Sequence, residues 1–186
     1  MVVREENTES RIVLAMIRAD HKRLLAVDVR ARTFGFALFE PPSRLVDCGV
    51  ARCPTAKRAA LRIESLIAAS HPGLLILRKV GKHSRRDTGR ARRVIVAVSR
   101  AARRAAVRLV FINERSVKTT FQQKGAVTKQ QIAMSLALMF PQLEWKLPLQ
   151  RKPWQSEHPR MAIFDAVSLA VAFAVIHETP KSTEYH

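Results

Sequence analysis

Three carboxylates stand where the sequence predicts that a strand or a helix holds them rigidly. Asp28 ends the apolar run 24–27 and precedes a polar turn, as expected for the end of a buried strand. Glu114 follows a second strand-like run in the same way, and Asp165 lies within the otherwise apolar stretch 161–176. Carboxylates fixed at the ends of core elements can bind divalent cations. These three residues are therefore the candidate catalytic and metal-ligating residues.

Each carboxylate also has a purely structural interpretation. Asp28 could cap the turn that follows its strand, a common use of aspartate. Glu114 could pair with Arg115 or occupy the first turn of a helix. Asp165 could lie on an exposed stripe and pair with Arg160. A bare charge inside an apolar helix is costly, however, so Asp165 must have a cation, a metal ion or several hydrogen-bond donors as its partner.

The charge of the chain points to a polyanionic partner. Its 186 residues include 33 Lys and Arg against 15 Asp and Glu, a formal charge of +18. Nucleic acid is the leading candidate because basic side chains displace condensed counterions from phosphates, and an acidic membrane surface comes second. Twelve of the basic residues fall between Arg78 and Arg108, where Asp87 is the single acid. Solvated faces usually mix both signs, so this stretch indicates a contact surface.

The residues expected to contact nucleic acid lie in the turn after Asp28, in the basic stretch and in the segment leading to residue 129. They are Arg30, Arg32, Arg78, Lys79, Lys82, Arg85, Arg86, Arg93, Arg100, Lys118, Lys124 and Lys129. Within this set, Arg93 and Arg100 fall near one face of a predicted amphipathic helix, together with Arg104. The opposite face of that helix is apolar.

The order of predicted elements defines the fold class. Apolar and alternating runs predict five strands, at 24–28, 34–39, 44–52, 74–77 and 107–112. Helical spacing predicts four main helices, one after the cap Thr55, a long one through Arg93 to Ala105, one after the cap Thr128, and one at 161–176. Three consecutive strands followed by helical crossovers call for a mixed α/β sheet with helices on both faces. We expect both 74–77 and 107–112 to be central strands.

Domain organisation is predicted to be simple. We interpret 1–20 as an N-terminal arm or accessory helix, 21–178 as one domain and 179–186 as a flexible tail. The apolar patch 12–17 is too short for a signal peptide or a membrane span. The two cysteines suggest neither a disulfide framework nor a zinc site, which fits an intracellular, cytoplasmic setting.

Two tryptophans flank a predicted connecting loop at 141–153. Trp145 and Trp154 either pack beneath this loop or offer surfaces for stacking. We expect both side chains to pack.

Three segments, taken in order, resemble the RuvC family of Holliday junction resolvases within the RNase H-like superfamily. They are the strand 25–28 with its hairpin, the segment 116–131 and the helical segment 164–172. Their order and spacing, in a chain of this length and charge, are much more specific than any one of them. The resemblance covers about residues 22–177. It implies an RNase H-like, RuvC-type mixed sheet of five strands, three antiparallel and then two parallel.

The resemblance also implies a function. A metal-dependent, structure-selective endodeoxyribonuclease of this kind would use two Mg²⁺ or Mn²⁺ ions to hydrolyse phosphodiesters. Asp28 matches the ligand of the first strand and Asp165 an aspartate of the last helix. The expected partner is branched DNA, with structured RNA as the alternative, and the resemblance suggests a homodimer associated with the nucleoid. Asn113-Glu114-Arg115 is similar to the Asp-Glu-Arg motif of the YqgF branch, which is linked to ribosomal RNA processing.

Two positions depart from the RuvC pattern. Arg78 stands where a glutamate is expected, and Ala162 stands where a second acidic or histidine ligand is expected. Glu114 could compensate, and Glu157 or His158 could offer a fourth group, although both are more typical of a helix start. Three hypotheses remain: a metal-dependent endonuclease, a nucleic-acid-binding module that has lost catalysis, and a YqgF-like RNA-processing nuclease.

Overall fold

The computed structural model describes residues 23–40, 44–80, 88–152 and 154–178. The expected arm at 1–20 and the expected tail at 179–186 lie outside these ranges, as do Lys82, Arg85 and Arg86.

A single mixed sheet organises the described chain. Its strands are β1 (Leu24–Val29), β2 (Thr33–Glu40), β3 (Arg44–Arg52), β4 (Leu74–Arg78) and β5 (Arg108–Ile112). The strand order is β3-β2-β1-β4-β5. The first three strands pair antiparallel, whereas β4 runs parallel to β1 and β5 parallel to β4. The predicted arrangement of three antiparallel and two parallel strands is confirmed.

The helices begin where the sequence supplies capping residues. They are α1 (Ala56–Ser70), α2 (Gly89–Arg104), α3 (Glu114–Gln122), α4 (Lys129–Met139), a 3₁₀ helix (Pro141–Lys146) and α5 (Met161–Glu178). The Thr55 side chain accepts the backbone N–H of Arg58, and Thr128 forms a capping box with Gln131. Both predicted N-caps are confirmed. Among the described helices, none is long and apolar enough to cross a membrane.

Alternation along the strands divides the core into two layers. Leu24 and Ala26 of β1 pack with α3, α4 and α5, whereas Leu25 and Val27 pack with α1 and α2. Helices therefore cover both faces of the sheet, as predicted. By the same alternation, Asp28 belongs to the α5 side.

The position of β5 differs from the prediction. We expected a central strand, but β5 lies at an edge of the sheet with β4 between it and β1. Its mixed burial reflects this position, since Phe111 is 43% exposed while every residue of β4 is buried. The carboxyl ends of β1, β4 and β5 still lie along one edge, because all three strands run parallel.

A glycine allows α5 to approach the sheet closely. A Cβ atom added to Gly35 would lie 1.9 Å from the carbonyl oxygen of Ala162, which leaves no room for a side chain. Gly35 pairs with Asp28 in the β1–β2 register. The first turn of α5 consequently rests on the sheet beside Asp28, and Asp165 follows within one turn of the helix.

Candidate functional site

The end of β1 carries an ion pair that the sheet register explains. The β1–β4 register ends with Val27 opposite Leu77, so Asp28 and Arg78 are the next positions along the two parallel strands. Both are buried, with 0% and 6% of their surface exposed. Arg78 Nε donates to Asp28 Oδ1 at 2.5 Å. The position expected to hold a glutamate thus supplies a cation to the first carboxylate.

Arg30, in the turn after β1, joins three carboxylates from distant parts of the chain. Its Nε donates to Asp28 Oδ2 at 3.1 Å, its Nη1 donates to Glu157 Oε2 at 3.1 Å, and its Nη2 donates to Asp165 Oδ2. Only 14% of the Arg30 side chain is exposed. A guanidinium suits this position because its donors point outward in a fixed plane.

Further contacts within the described ranges extend this group of charges. Arg78 Nη2 lies 3.8 Å from Asp165 Oδ1, and Lys129 Nζ lies 2.6 Å from Glu157 Oε1 and 3.6 Å from Asp165 Oδ2. We call these six residues the ion-pair network. Its members are Asp28, Glu157 and Asp165 with Arg30, Arg78 and Lys129. Among the described residues of this network, each carboxylate has at least one cation as its partner, which allows carboxylates to be buried at the sheet edge.

Arg90, in the first turn of α2, holds the Arg30 turn from the opposite side. Its Nη1 donates to the carbonyl oxygen of Arg30 at 2.6 Å, and its Nη2 donates to that of Cys53. Burial lowers the pKa of the Arg90 side chain below its usual value. The turn is therefore fixed both by its side-chain ion pairs and through its backbone.

Glu114 lies beside the ion-pair network. It lines a small cavity together with Arg78, Lys129 and Asp165. The Lys118 Nζ atom is 3.0 Å from Glu114 Oε1, and half of the Glu114 side chain is exposed. Glu114 is in the first turn of α3, where the helix dipole favours a carboxylate. The structure thus brings all three predicted carboxylates to one edge of the sheet, with Glu114 at the cavity wall.

These residues do not fit the two metal ions that the family resemblance implies. Both oxygens of Asp28 accept guanidinium N–H groups, and Asp165 Oδ2 accepts another. A divalent ion would need the same oxygens and would lie beside two fixed positive charges. Within the four described ranges, no three His, Cys, Asp or Glu side chains are grouped to hold a metal. Ala162, at the other position where a ligand was expected, is buried against Gly35.

The other predicted contact residues are distributed over the surface. Side chains that are exposed belong to Arg32, Lys79, Arg93, Arg100, Lys118 and Lys129, whereas Lys124 is half-buried. Arg30 and Arg78 are inside the site, so neither presents its guanidinium to an approaching phosphate in this conformation.

Three residues have roles in the site that differ from the roles predicted for them. Arg30 and Arg78 were expected to bind phosphate, yet they are internal partners of carboxylates. Glu157 precedes α5 but also pairs with Arg30. The sequence did indicate that Asp165 has a charged or hydrogen-bonding partner, because a bare carboxylate inside an apolar helix is costly. Nothing in the sequence distinguishes Arg90 from the neighbouring arginines.

Both tryptophans differ from the prediction. Trp145 is 68% exposed and Trp154 is 78% exposed, so neither packs beneath the connecting segment. The segment from 141 to 146 forms a 3₁₀ helix instead, and Leu143 is the residue that it buries.

The strand order, the carboxylate at the end of β1 and the close approach of α5 together define an RNase H-like fold of the RuvC resolvase type. RuvC of Thermus thermophilus superposes with a TM-score of 0.62 at 16% identity, covering 82% of this chain and 93% of that one. The yeast mitochondrial Holliday junction resolvase Ydc2 gives 0.60 at 13% identity, covering 95% and 87%. The fowlpox virus resolvase, in complex with Holliday junction DNA, gives 0.55 at 11%, covering 82% and 99%.

Comparison of the sequence by itself shows no similarity of this kind. No family model matches the chain, and no curated protein matches it. At these identities the structural similarity establishes the fold, and the function has to be argued from the site.

Proposed function

We propose that this protein binds branched DNA through a RuvC-type fold and that this binding does not depend on a metal ion. The ion-pair network is the observation that carries this proposal. Arg30 and Arg78 supply, from within the chain, the positive charge that buried carboxylates at this position require.

The charge of the chain supports binding. The chain carries a formal charge of +18, and the three described cations of the network face three carboxylates, so they do not account for this excess. Arg93 and Arg100 on α2 are exposed and form no ion pair with a described acidic residue. Such side chains can replace the counterions of a phosphate backbone.

Branched DNA is the favoured substrate within this proposal. Thermus thermophilus RuvC and the fowlpox resolvase, which share the fold, are described in complex with Holliday junctions. For this chain we propose preference for a four-way junction over linear duplex, with two copies of the chain on one junction. Structured RNA is the competing ligand and belongs in the same experiment.

A metal-dependent endonuclease is the second candidate. Asp28 and Asp165 both contact Arg30 beside the end of β1, and Glu114 lines the adjoining cavity. This candidate requires Arg30 and Arg78 to leave Asp28 and Asp165, which would break four described contacts.

The decisive experiment measures binding and cleavage together. A labelled four-way junction, linear duplex and structured RNA are each incubated with EDTA, Mg²⁺ or Mn²⁺. We expect junction binding to be unchanged by EDTA and the strands to stay intact. Junction cleavage with Mg²⁺ that is lost in Asp28→Asn would overturn this proposal in favour of the endonuclease. Asp47→Asn, an equal change of charge at an exposed position of β3, is the matched control.

A further inference from the structure

Two exposed tryptophans, each with a cation against its ring, lie in the segment that leads to α5. Trp145 is 68% exposed, and Lys146 Nζ lies 4.7 Å from its ring centroid. Trp154 is 78% exposed, with Lys152 Nζ at 5.5 Å. Large exposed aromatic rings mark an interaction surface more often than isolated exposed aliphatic residues do.

The backbone at Trp145 is held in place, and a second cation lies near its ring. Arg160 lies 6.0 Å from the ring centroid and donates from Nη1 to the carbonyl oxygen of Trp145 at 3.4 Å. Lys146 Nζ donates to the carbonyl oxygen of Cys48 at 3.0 Å, which ties the 3₁₀ helix to β3. A side chain on a backbone that is already fixed loses less conformational entropy when a ligand covers it.

We propose that Trp145 stacks on an unpaired base of the bound nucleic acid, while Lys146 and Arg160 contact the adjoining phosphates. An aromatic face offers stacking to any base, and a cation beside it suits the phosphate of the same strand. The cations favour a polyanion over an apolar protein partner, because an apolar partner would have to desolvate both charges.

Stacking of this kind selects unpaired bases. Within a duplex both faces of each base are covered by its neighbours, so an aromatic ring reaches a base face only at ends, branch points and single strands. This inference rests on the proposed binding of branched DNA and deepens it, since Trp145 would recognise the open bases of the branch. Arg160, which contacts Trp145, immediately precedes α5, so Trp145 lies near the start of the helix that carries Asp165.

The two tryptophans make a direct test possible. Because the chain has only these two, Trp154→Phe leaves Trp145 as the single fluorescent indole. We expect single-stranded oligonucleotide and four-way junction to quench its fluorescence, and a relaxed, covalently closed duplex circle without ends or loops to leave it unchanged. We also expect Trp145→Ala to weaken single-strand binding about tenfold, within the range for one stacked base. Trp145→Phe should retain most of the affinity.

The outcomes separate this inference from the proposed function. If Trp145→Ala binds single strands and junctions as tightly as the native chain, the stacking role is overturned. If Trp145→Ala binds the junction at all, the proposed function still stands. Weakening by Trp154→Ala alone would overturn the assignment to Trp145. A change in Trp145 fluorescence that depends on protein concentration, without nucleic acid, would show a second copy to be the occupant and would also overturn it. Failure of the unaltered protein to bind any nucleic acid would overturn both proposals.

Discussion

The arginines of the ion-pair network and those of α2 use the same side chain in opposite ways. Arg78 is 6% exposed and pairs with Asp28, whereas Arg93 and Arg100 are exposed and have no described acidic partner. The first kind balances a charge that folding has buried, so its loss affects stability. The second kind leaves its charge to the solvent, so its loss affects association with a polyanion. Variants of the two kinds should therefore separate stability from binding.

The largest effect is expected from Arg78→Met. Removal of one partner of a buried ion pair leaves an uncompensated charge, which costs about 3–5 kcal/mol of unfolding free energy. Urea denaturation measures this cost. Arg93→Met, the same change on the exposed face of α2, should alter the unfolding free energy by less than about 0.5 kcal/mol. Equal losses in the two variants would contradict the distinction.

Gly35→Ala should also destabilise the site region. The added Cβ atom would meet the carbonyl of Ala162 at 1.9 Å and push α5 from the sheet, at a cost of about 1–3 kcal/mol. Gly89→Ala is the matched control because its Cβ atom would meet nothing closer than 3.9 Å. Thermal unfolding of both variants checks the prediction, and a stable Gly35→Ala variant would mean that α5 can shift without penalty.

Replacement of both Arg93 and Arg100 by Gln should change binding and leave stability intact. If each contacts one phosphate, the slope of log K against log salt should become about 1.8 units shallower on duplex DNA. Arg104 is left in place because it lies 3.6 Å from Glu64. The control replaces Arg23 and Arg44 by Gln. This change removes the same charge, but in the native chain both residues pair with Glu40. Equal slopes for the two double variants would indicate that only total charge matters.

The smallest effect is expected at Glu40, which forms ion pairs with Arg23 and Arg44. These two arginines belong neither to the ion-pair network nor to α2. Hydrogen bonds from Arg44 and Arg23 lower the pKa of the Glu40 carboxyl. A lowered folded-state pKa contributes stability above the unfolded value of about 4.3, and this contribution is lost as pH falls through the folded value. The melting temperatures of the native chain and Glu40→Gln should therefore converge between pH 7 and pH 3. A difference that does not depend on pH would exclude this ion pair as its source.

Much of the fold could be predicted because the strands and caps are local features. Residues such as Thr55 and Thr128 carry their signal within one helical turn, and the buried run of β4 is visible as continuous apolar sequence. The convergence of Asp28 and Asp165 was predicted only through the family resemblance. Their shared partner Arg30 was not, because side-chain pairing depends on the sheet register and on the packing of α5, which no local pattern encodes. The exposure of Trp145 was missed because aromatic residues usually bury their large apolar surface.

The long sequence separations within the ion-pair network bear on how the chain folds. Arg30 is separated from Glu157 by 127 positions and from Asp165 by 135. Contacts of such high order form late, after most loop-closure entropy has been lost. Until α5 docks on Gly35, Arg30 lacks two of its three carboxylate partners, Glu157 and Asp165. We therefore expect the first hairpin and the last helix to reach their final packing in the same late step, and a chain interrupted before α5 to leave this hairpin with incompletely balanced charge.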